Sequence, residues 1–199
     1  TIKVDDNSML NPKYPAAVVA GNVETSQVIT DTLYGALKTQ AASQGSMNNL
    51  TFGDSTWQYY ETICGGTGAG PDYNGADAVH SHMTNSRLTD PEILETRYPV
   101  RLEYFGFHHN SGGKGKYQGG NGCERHFTFL RPLTVSMLSN HRIVPPYGMH
   151  GAQPGSLGYQ YLKSKNGNSK PLKSSFSQTF DTGETLIIKT PGGGGYGKT

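Results

Sequence analysis

Cysteine is scarce in this chain. Cys64 and Cys123 are its two thiols, they are far apart, and no C-x-x-C spacing joins them. That excludes a disulfide-dense secreted scaffold and makes reduced, cytosolic thiols the default expectation. Charge is also sparse, at 16% of residues, and the formal excess is only +2. Lysine and arginine are mixed with aspartate and glutamate along the chain, so the basic block that would track a phosphate backbone is missing and nucleic acid is not an expected partner. No apolar run approaches the roughly 18 to 20 residues of a membrane span, and Thr1 to Ser8 (TIKVDDNS) lacks the basic and apolar regions of a signal peptide. The expectation is a cytoplasmic protein without a membrane partner.

The 199 residues contain 27 glycines and 12 tyrosines, a composition that favours turns and strands over helices. One domain of this length can own a substantial core. Because the chain starts at Thr1 and stops at Thr199 inside a glycine-rich phrase, it reads as a part of something longer.

One helix is legible. Gly21 and Asn22 suit a cap, and Ile29, Leu33, Ala36 and Leu37 recur at helical spacing. Asp31, Lys38 and Gln40 are then expected on the outer face, and Gly45 ends the pattern, giving a helix over 23–43. Downstream the period changes to two. Trp57 to Ile63, Val100 to Tyr104, Arg125 to Phe129, Leu133 to Met137, Tyr159 to Tyr161 and Leu186 to Ile188 read as strands bounded by Gly, Pro or Asn. Asp90 followed by Pro91 predicts a short helix in DPEILETR. Ser111 to Gly122 (SGGKGKYQGGNG) reads as a wide connection between two strands, and Lys163 to Ser175 as a hairpin loop or link. The expected fold class is α+β in a single domain, 1–199, with one long N-terminal helix packed on a largely antiparallel sheet and a β-rich second half.

Several motifs point toward chemistry. Gly192 to Thr199 (GGGGYGKT) fits the phosphate-loop expression G-x-x-x-x-G-K-[ST], directly after a strand-like stretch. That chemistry needs a following helix whose N-terminus holds the phosphates, and four consecutive glycines satisfy the expression cheaply. A glycine-rich turn after the last strand is the preferred reading. His80 and His82 fall on one face of a strand, but no third ligand stands at a recognisable spacing, so no metal is assigned. Cys64, beside Gly65 and Gly66, is a weak nucleophile candidate, since a thiolate needs a base and the sequence does not say whether His80 or His126 approaches it. A small buried thiol is the simpler reading.

The polar clusters GNVETS (Gly21 to Ser26), SMNNLTFG (Ser46 to Gly53) and MTNSR (Met83 to Arg87) suit either a ligand site or capping and turn formation. A site built from them would offer neutral donors and acceptors to an anionic or amide-bearing ligand.

Taken in order, GNVETSQ, SMNNLTFG, YYETICGGTGAGP, HSHMTNSRLTDPEILETRYPVRLE, SGGKGKYQGGNG, LSNHRIVPPYGMHG and TPGGGGYG closely resemble the hydantoinase B/oxoprolinase family, in its 5-oxoprolinase branch, over nearly the whole chain. The resemblance implies the C-terminal portion of a B subunit or B domain. It implies ATP-dependent hydrolysis of 5-oxo-L-proline to L-glutamate, by phosphorylation of the amide oxygen and attack of water. ATP and Mg would be held by a partner, the hydantoinase A/oxoprolinase A-type nucleotide-binding portion, and the whole would be an oligomer. The family phrase NDPxxGGxHxxD, associated with a divalent metal in the N-terminal B portion, is missing here. A chain without it and without the nucleotide domain is expected to be inactive alone.

The substrate-lining candidates that follow are Asn22, Glu24, Thr25, Asn48, Asn49, Thr84 and Asn85, with Arg87 and Arg142 as carboxylate partners. No residue is assigned a catalytic role. The rival readings are an ATP-dependent hydantoinase or ketone carboxylase B-type subunit, and a non-catalytic assembly module.

Overall fold

The computed structural model describes residues 3–16 and 19–199. Two α-helices and nine strands follow in the order α1 (Val19–Leu37), β1 (Asn49–Gly53), β2 (Gln58–Glu61), α2 (Pro91–Arg97), β3 (Val100–His108), β4 (Gly122–Phe129), β5 (Leu133–Leu138), β6 (Tyr159–Lys163), β7 (Ser169–Pro171), β8 (Ser175–Phe180) and β9 (Thr185–Lys189). The strands form two antiparallel sheets, ordered β2-β1-β5-β8 and β3-β4-β9-β6-β7. The α+β expectation holds, with two sheets in place of one.

Period-two alternation explains why the sheets face each other. In β4, Cys123, Arg125, Phe127 and Phe129 point inward. From the other sheet Leu50, Phe52, Tyr59, Val135, Met137 and Phe180 meet them in one buried cluster, joined by Leu186 and Ile188 of β9. Phe52 lies at the centre, its ring 6.2 Å from Phe127 and 5.8 Å from Phe129. α2 begins as expected, with Asp90 accepting from Glu92 N at 2.9 Å and Pro91 in the first turn.

α1 departs from expectation at both ends. It starts at Val19, so Asn22 lies inside the helix. It stops at Leu37 because Lys38 turns left-handed (φ 58°), with Thr39 N bonded back to Tyr34 O at 3.1 Å. Gly45 does adopt φ +60°, but within the extended stretch that follows. β1, β7 and β8 are strands not expected from the alternation, and the stretch expected as a hairpin loop or link over 163–175 holds the turn that joins β6 to β7 and β7 itself.

The glycine-rich phrases form a backbone-only layer. Gly192 to Gly195 run buried and extended between the 65–76, 111–122 and 146–156 segments. At Gly193 a Cβ would sit 1.9 Å from Thr67 O, and at Gly120 1.9 Å from Ala76 O. Only glycine fits where chains approach this closely. The segment after β9 is therefore a buried, hydrogen-bonded strip, and the turn expected there is corrected.

Candidate functional site

α1 is built inside out. Its buried face carries Glu24, Gln27 and Asp31, at 7%, 0% and 4% exposure, while Leu33 and Leu37 are 49% and 69% exposed. This reverses the expected orientation, in which Asp31 faced outward. The polar face can be buried because each of its three side chains meets partners from a distant stretch of chain, which offsets much of the desolvation cost, although Glu24 Oε2 and Asp31 Oδ2 have no hydrogen bond among the described residues.

Glu24 Oε1 accepts from Met47 N at 2.9 Å, Asn49 Nδ2 at 2.8 Å and Ser46 Oγ at 3.3 Å. Burial raises the Glu24 carboxyl above its ordinary range, and these donors oppose the rise. Gln27 Nε2 donates to Ser81 O at 3.1 Å and Thr84 Oγ1 at 2.9 Å. Asp31 Oδ1 accepts from His82 Nε2 at 2.7 Å and Ser43 N at 3.0 Å. Three side chains on one helical face thus hold the 43–49 stretch and the 81–84 loop.

Arg142 continues the network. Its Nη2 donates to Asn48 Oδ1 at 2.9 Å, its Nε to Gln160 Oε1 at 2.7 Å and its Nη1 to Asn140 O at 2.6 Å. Desolvation pulls its pKa down to about 10, the Glu24 charge acting in the opposite direction. Asn48, left-handed at φ 45°, also donates to Gln44 Oε1 at 2.8 Å and Ile63 O at 3.1 Å. Asn49 Oδ1 accepts from Tyr60 Oη at 2.7 Å.

Of the residues nominated from sequence, Glu24, Asn48, Asn49 and Arg142 therefore stand in one connected polar network through Ser46, and Thr84 is held separately by Gln27 on the same helical face. Asn22 and Thr25 line a cleft of about 760 Å³ between α1 and the 7–16 stretch, together with Lys13, Ile29 and Met83. Asn85 and Arg87 are exposed just beyond Thr84 and make no side-chain hydrogen bond or ion pair among the described residues. The sequence reading missed Gln27, Asp31 and His82. The available signal was the i, i+3, i+7 spacing of Glu24, Gln27 and Asp31, which puts three polar groups on one helical stripe.

The competing motifs resolve differently. In the GGGGYGKT phrase, Gly193 N donates to Gly120 O, Gly194 N to Ala42 O, Gly195 N to Gln153 O, Tyr196 N to Tyr117 O and Gly197 N to Met149 O, all between 2.8 and 3.0 Å. The amides that would cradle phosphates already have partners, so these residues do not fit a nucleotide. His80 Nε2 lies 3.1 Å from Thr62 O while His82 is bound to Asp31, so the histidine pair diverges. Among the described residues no group of three or more His, Cys, Asp or Glu is arranged to hold a metal.

Cys64 and Cys123 are both buried, and Cys123 Sγ donates to Cys64 O at 3.2 Å. The neighbouring Cys123 side chain holds the Cys64 thiol below its ordinary pKa, against the effect of burial. His126 is bound to Glu124 at 2.8 Å. Deeper in the core, Arg125 and Glu61 form an ion pair at 3.2 Å, with Arg125 between the rings of Phe105 and Phe127.

Comparison with known proteins places this architecture. The chain is 50% identical over 196 residues to 5-oxoprolinase 1 of Arabidopsis thaliana, covering 98% of this chain and 16% of that protein. It is 39% identical over 198 residues to a protein of Methanocaldococcus jannaschii, covering 96% of this chain and 35% of the relative. The crystal structure of the ATP-dependent caprolactamase from Pseudomonas jessenii shares the fold at a TM-score of 0.79 and 23% identity, over 94% of this chain and 36% of that one. The chain thus spans well under two thirds of the proteins it matches. Residues 1–199 match the family model described as Hydantoinase B/oxoprolinase, and the chain belongs to that family.

Proposed function

We propose that this chain is the C-terminal piece of the B portion of a cytoplasmic ATP-dependent 5-oxoprolinase, which opens 5-oxo-L-proline to L-glutamate. The observation that carries the reading is the 50% identity to 5-oxoprolinase 1 of Arabidopsis over 98% of this chain. An unstrained lactam is a poor electrophile, and converting its oxygen into a phosphate leaving group lowers the barrier and couples ring opening to ATP. That phosphate comes from ATP and Mg held by a hydantoinase A/oxoprolinase A-type partner, since the glycine-rich segment here has its amides engaged. Any divalent metal belongs to the N-terminal B portion.

Within the piece, two groups of residues divide the work. Glu24, Asn48, Asn49, Thr84 and Arg142 have protein partners and hold the loops in place. Asn22, Thr25, Asn85 and Arg87 make no side-chain hydrogen bond among the described residues, which leaves their groups for a ligand in this reading. In this reading Asn22 and Thr25 bond the lactam amide in the cleft, and Arg87, outside the cleft lining but four residues along the chain from cleft-lining Met83, reaches in to grip the carboxylate.

The test combines the chain with the rest of the B portion and the A-type partner, and follows glutamate formed from 5-oxoproline. The proposal expects glutamate only when ATP is present, with KM raised and kcat less changed in Asn22→Ala and Arg87→Ala. Turnover of a hydantoin or a ketone, with 5-oxoproline untouched, would move the assignment to another branch of the family.

A further inference from the structure

Among the described residues, the outward face of α1 is only partly covered, by the 7–16 stretch across the cleft. Ile29, Leu33 and Leu37 succeed one another at i+4 and form a single ridge along the helix. Leu33 and Leu37 are 49% and 69% exposed, and Ile29 lines the open cleft beside Met83 and Leu10, themselves 65% and 50% exposed. The neighbouring outward positions on the helix, Thr25, Ser26, Thr30 and Ala36, are small and uncharged, and the nearest charges are two lysines at the ends of the ridge, Lys13 in the cleft beside Ile29 and Lys38 after Leu37. A surface helix ordinarily turns its apolar stripe to the core. Here the core side is taken by Glu24, Gln27 and Asp31, which leaves the apolar stripe for something else.

We infer that the Ile29, Leu33 and Leu37 ridge receives an amphipathic α-helix from the part of the hydantoinase B polypeptide outside these 199 residues. The inference rests on the reading of this chain as one piece of a larger B portion. A helix is the fitting occupant because i±4 ridges seat in the grooves between side chains of another helix. Its contacting face would be apolar, matching the ridge, with any charge at its edges acidic toward Lys13 and Lys38. The source is the remainder of the B polypeptide because the matching region is only 35% of the M. jannaschii relative and 36% of the caprolactamase chain, leaving most of each polypeptide to pack around it. The ridge borders the cleft at Ile29, so a helix docked there would also close that cleft.

The test uses two proteins, the isolated chain and a full-length chimera in which the chain replaces the matching stretch of the M. jannaschii relative. Each is made unmodified, with Leu33→Asp and Leu37→Asp together, and with Leu37→Gln as a milder second variant. As a control, Ile143→Asp alters an apolar residue that is 86% exposed outside the ridge. The isolated chain should melt within about 2 °C of the unmodified one in every case, whereas the ridge variants should lower the chimera's Tm by about 5 °C or more. Ile143→Asp should leave the chimera unchanged.

A chimera indifferent to both ridge variants, or an isolated chain that falls equally, overturns the inference. So does an unmodified chimera that does not fold. Self-association of the isolated chain that the ridge variants abolish, with the chimera unaffected, would assign the ridge to a second copy and also overturn it. Glutamate formation is measured separately: loss of that activity with the ridge effect intact would sink the functional reading and leave the docking surface standing.

Discussion

His82 Nε2 lies 2.7 Å from Asp31 Oδ1, a contact between side chains that are each 6% exposed and 51 residues apart in sequence. It ties α1 to the loop that carries Thr84, Asn85 and Arg87. Asp31→Ala would leave the His82 ring and Ser43 N without their acceptor in a buried setting, at a cost of about 3 kcal/mol. Denaturant unfolding should show that loss as a lower midpoint with an unchanged slope. A change below about 0.5 kcal/mol, the range typical of surface substitutions, would mean that the contact is unimportant.

The buried Glu61–Arg125 pair makes a second stability prediction. Removing Glu61 alone, as in Glu61→Ala, strands the Arg125 guanidinium in the core and should cost about 3–5 kcal/mol. Replacing both partners with apolar residues of similar volume should recover most of that loss, because an ion pair taken out of water gains little over good packing. The comparison is read by thermal melting of the single and double variants, and equal losses would contradict it.

Burial raises the Glu24 carboxyl above its ordinary 4.5. A raised folded pKa means that the folded state holds the proton more tightly than the unfolded chain. The resulting stability is complete below pH 4.5 and is lost as pH climbs through the folded value. His141 acts in the opposite sense: desolvation lowers its pKa from 6.5, so its contribution is complete above 6.5 and falls as pH drops. Glu24→Gln isolates the first effect. Melts from pH 4.5 to 8 should show the variant gaining on the native chain as pH rises, and a constant difference would rule out a raised Glu24.

Gly193→Ala should be severe. The added methyl meets Thr67 O at 1.9 Å in a backbone layer that cannot give way, which predicts a loss at or above the roughly 1–3 kcal/mol typical of overpacking. Lys198→Ala, in the same phosphate-loop-like phrase, should leave ATP consumption by the complete assembly unchanged, since the amides of that phrase bond to the protein itself. A large fall in ATP affinity would restore the nucleotide reading.

The sheets were largely legible in the sequence because alternation maps directly onto a two-faced strand: β4, β5 and β9 show it, and their inward residues form the core. β1 was obscured because Asn49 and Thr51 flank Leu50 and Phe52, so its alternation looked like a polar site phrase. α1 was recognised as a helix by the period of Ile29, Leu33 and Leu37 but turned the wrong way. Hydrophobic periodicity assumes that the apolar stripe seeks the core of the same chain, and here Glu24, Gln27 and Asp31 are bonded to partners 12 to 57 residues away that no local pattern shows. For the same reason the nominated residues could be chosen only by type, and it took coordinates to show that Glu24, Asn48, Asn49, Thr84 and Arg142 have side-chain partners while Asn85 and Arg87 have none among the described residues.

The central claim is that ring opening needs more than this chain supplies. Glutamate release from 5-oxoproline with ATP, followed in parallel for the purified chain and for the chain joined to its B remainder and A-type partner, tests it most directly. The account predicts product from the assembly and none from the chain alone. Glutamate formed by the isolated chain at an enzyme-like rate would contradict it.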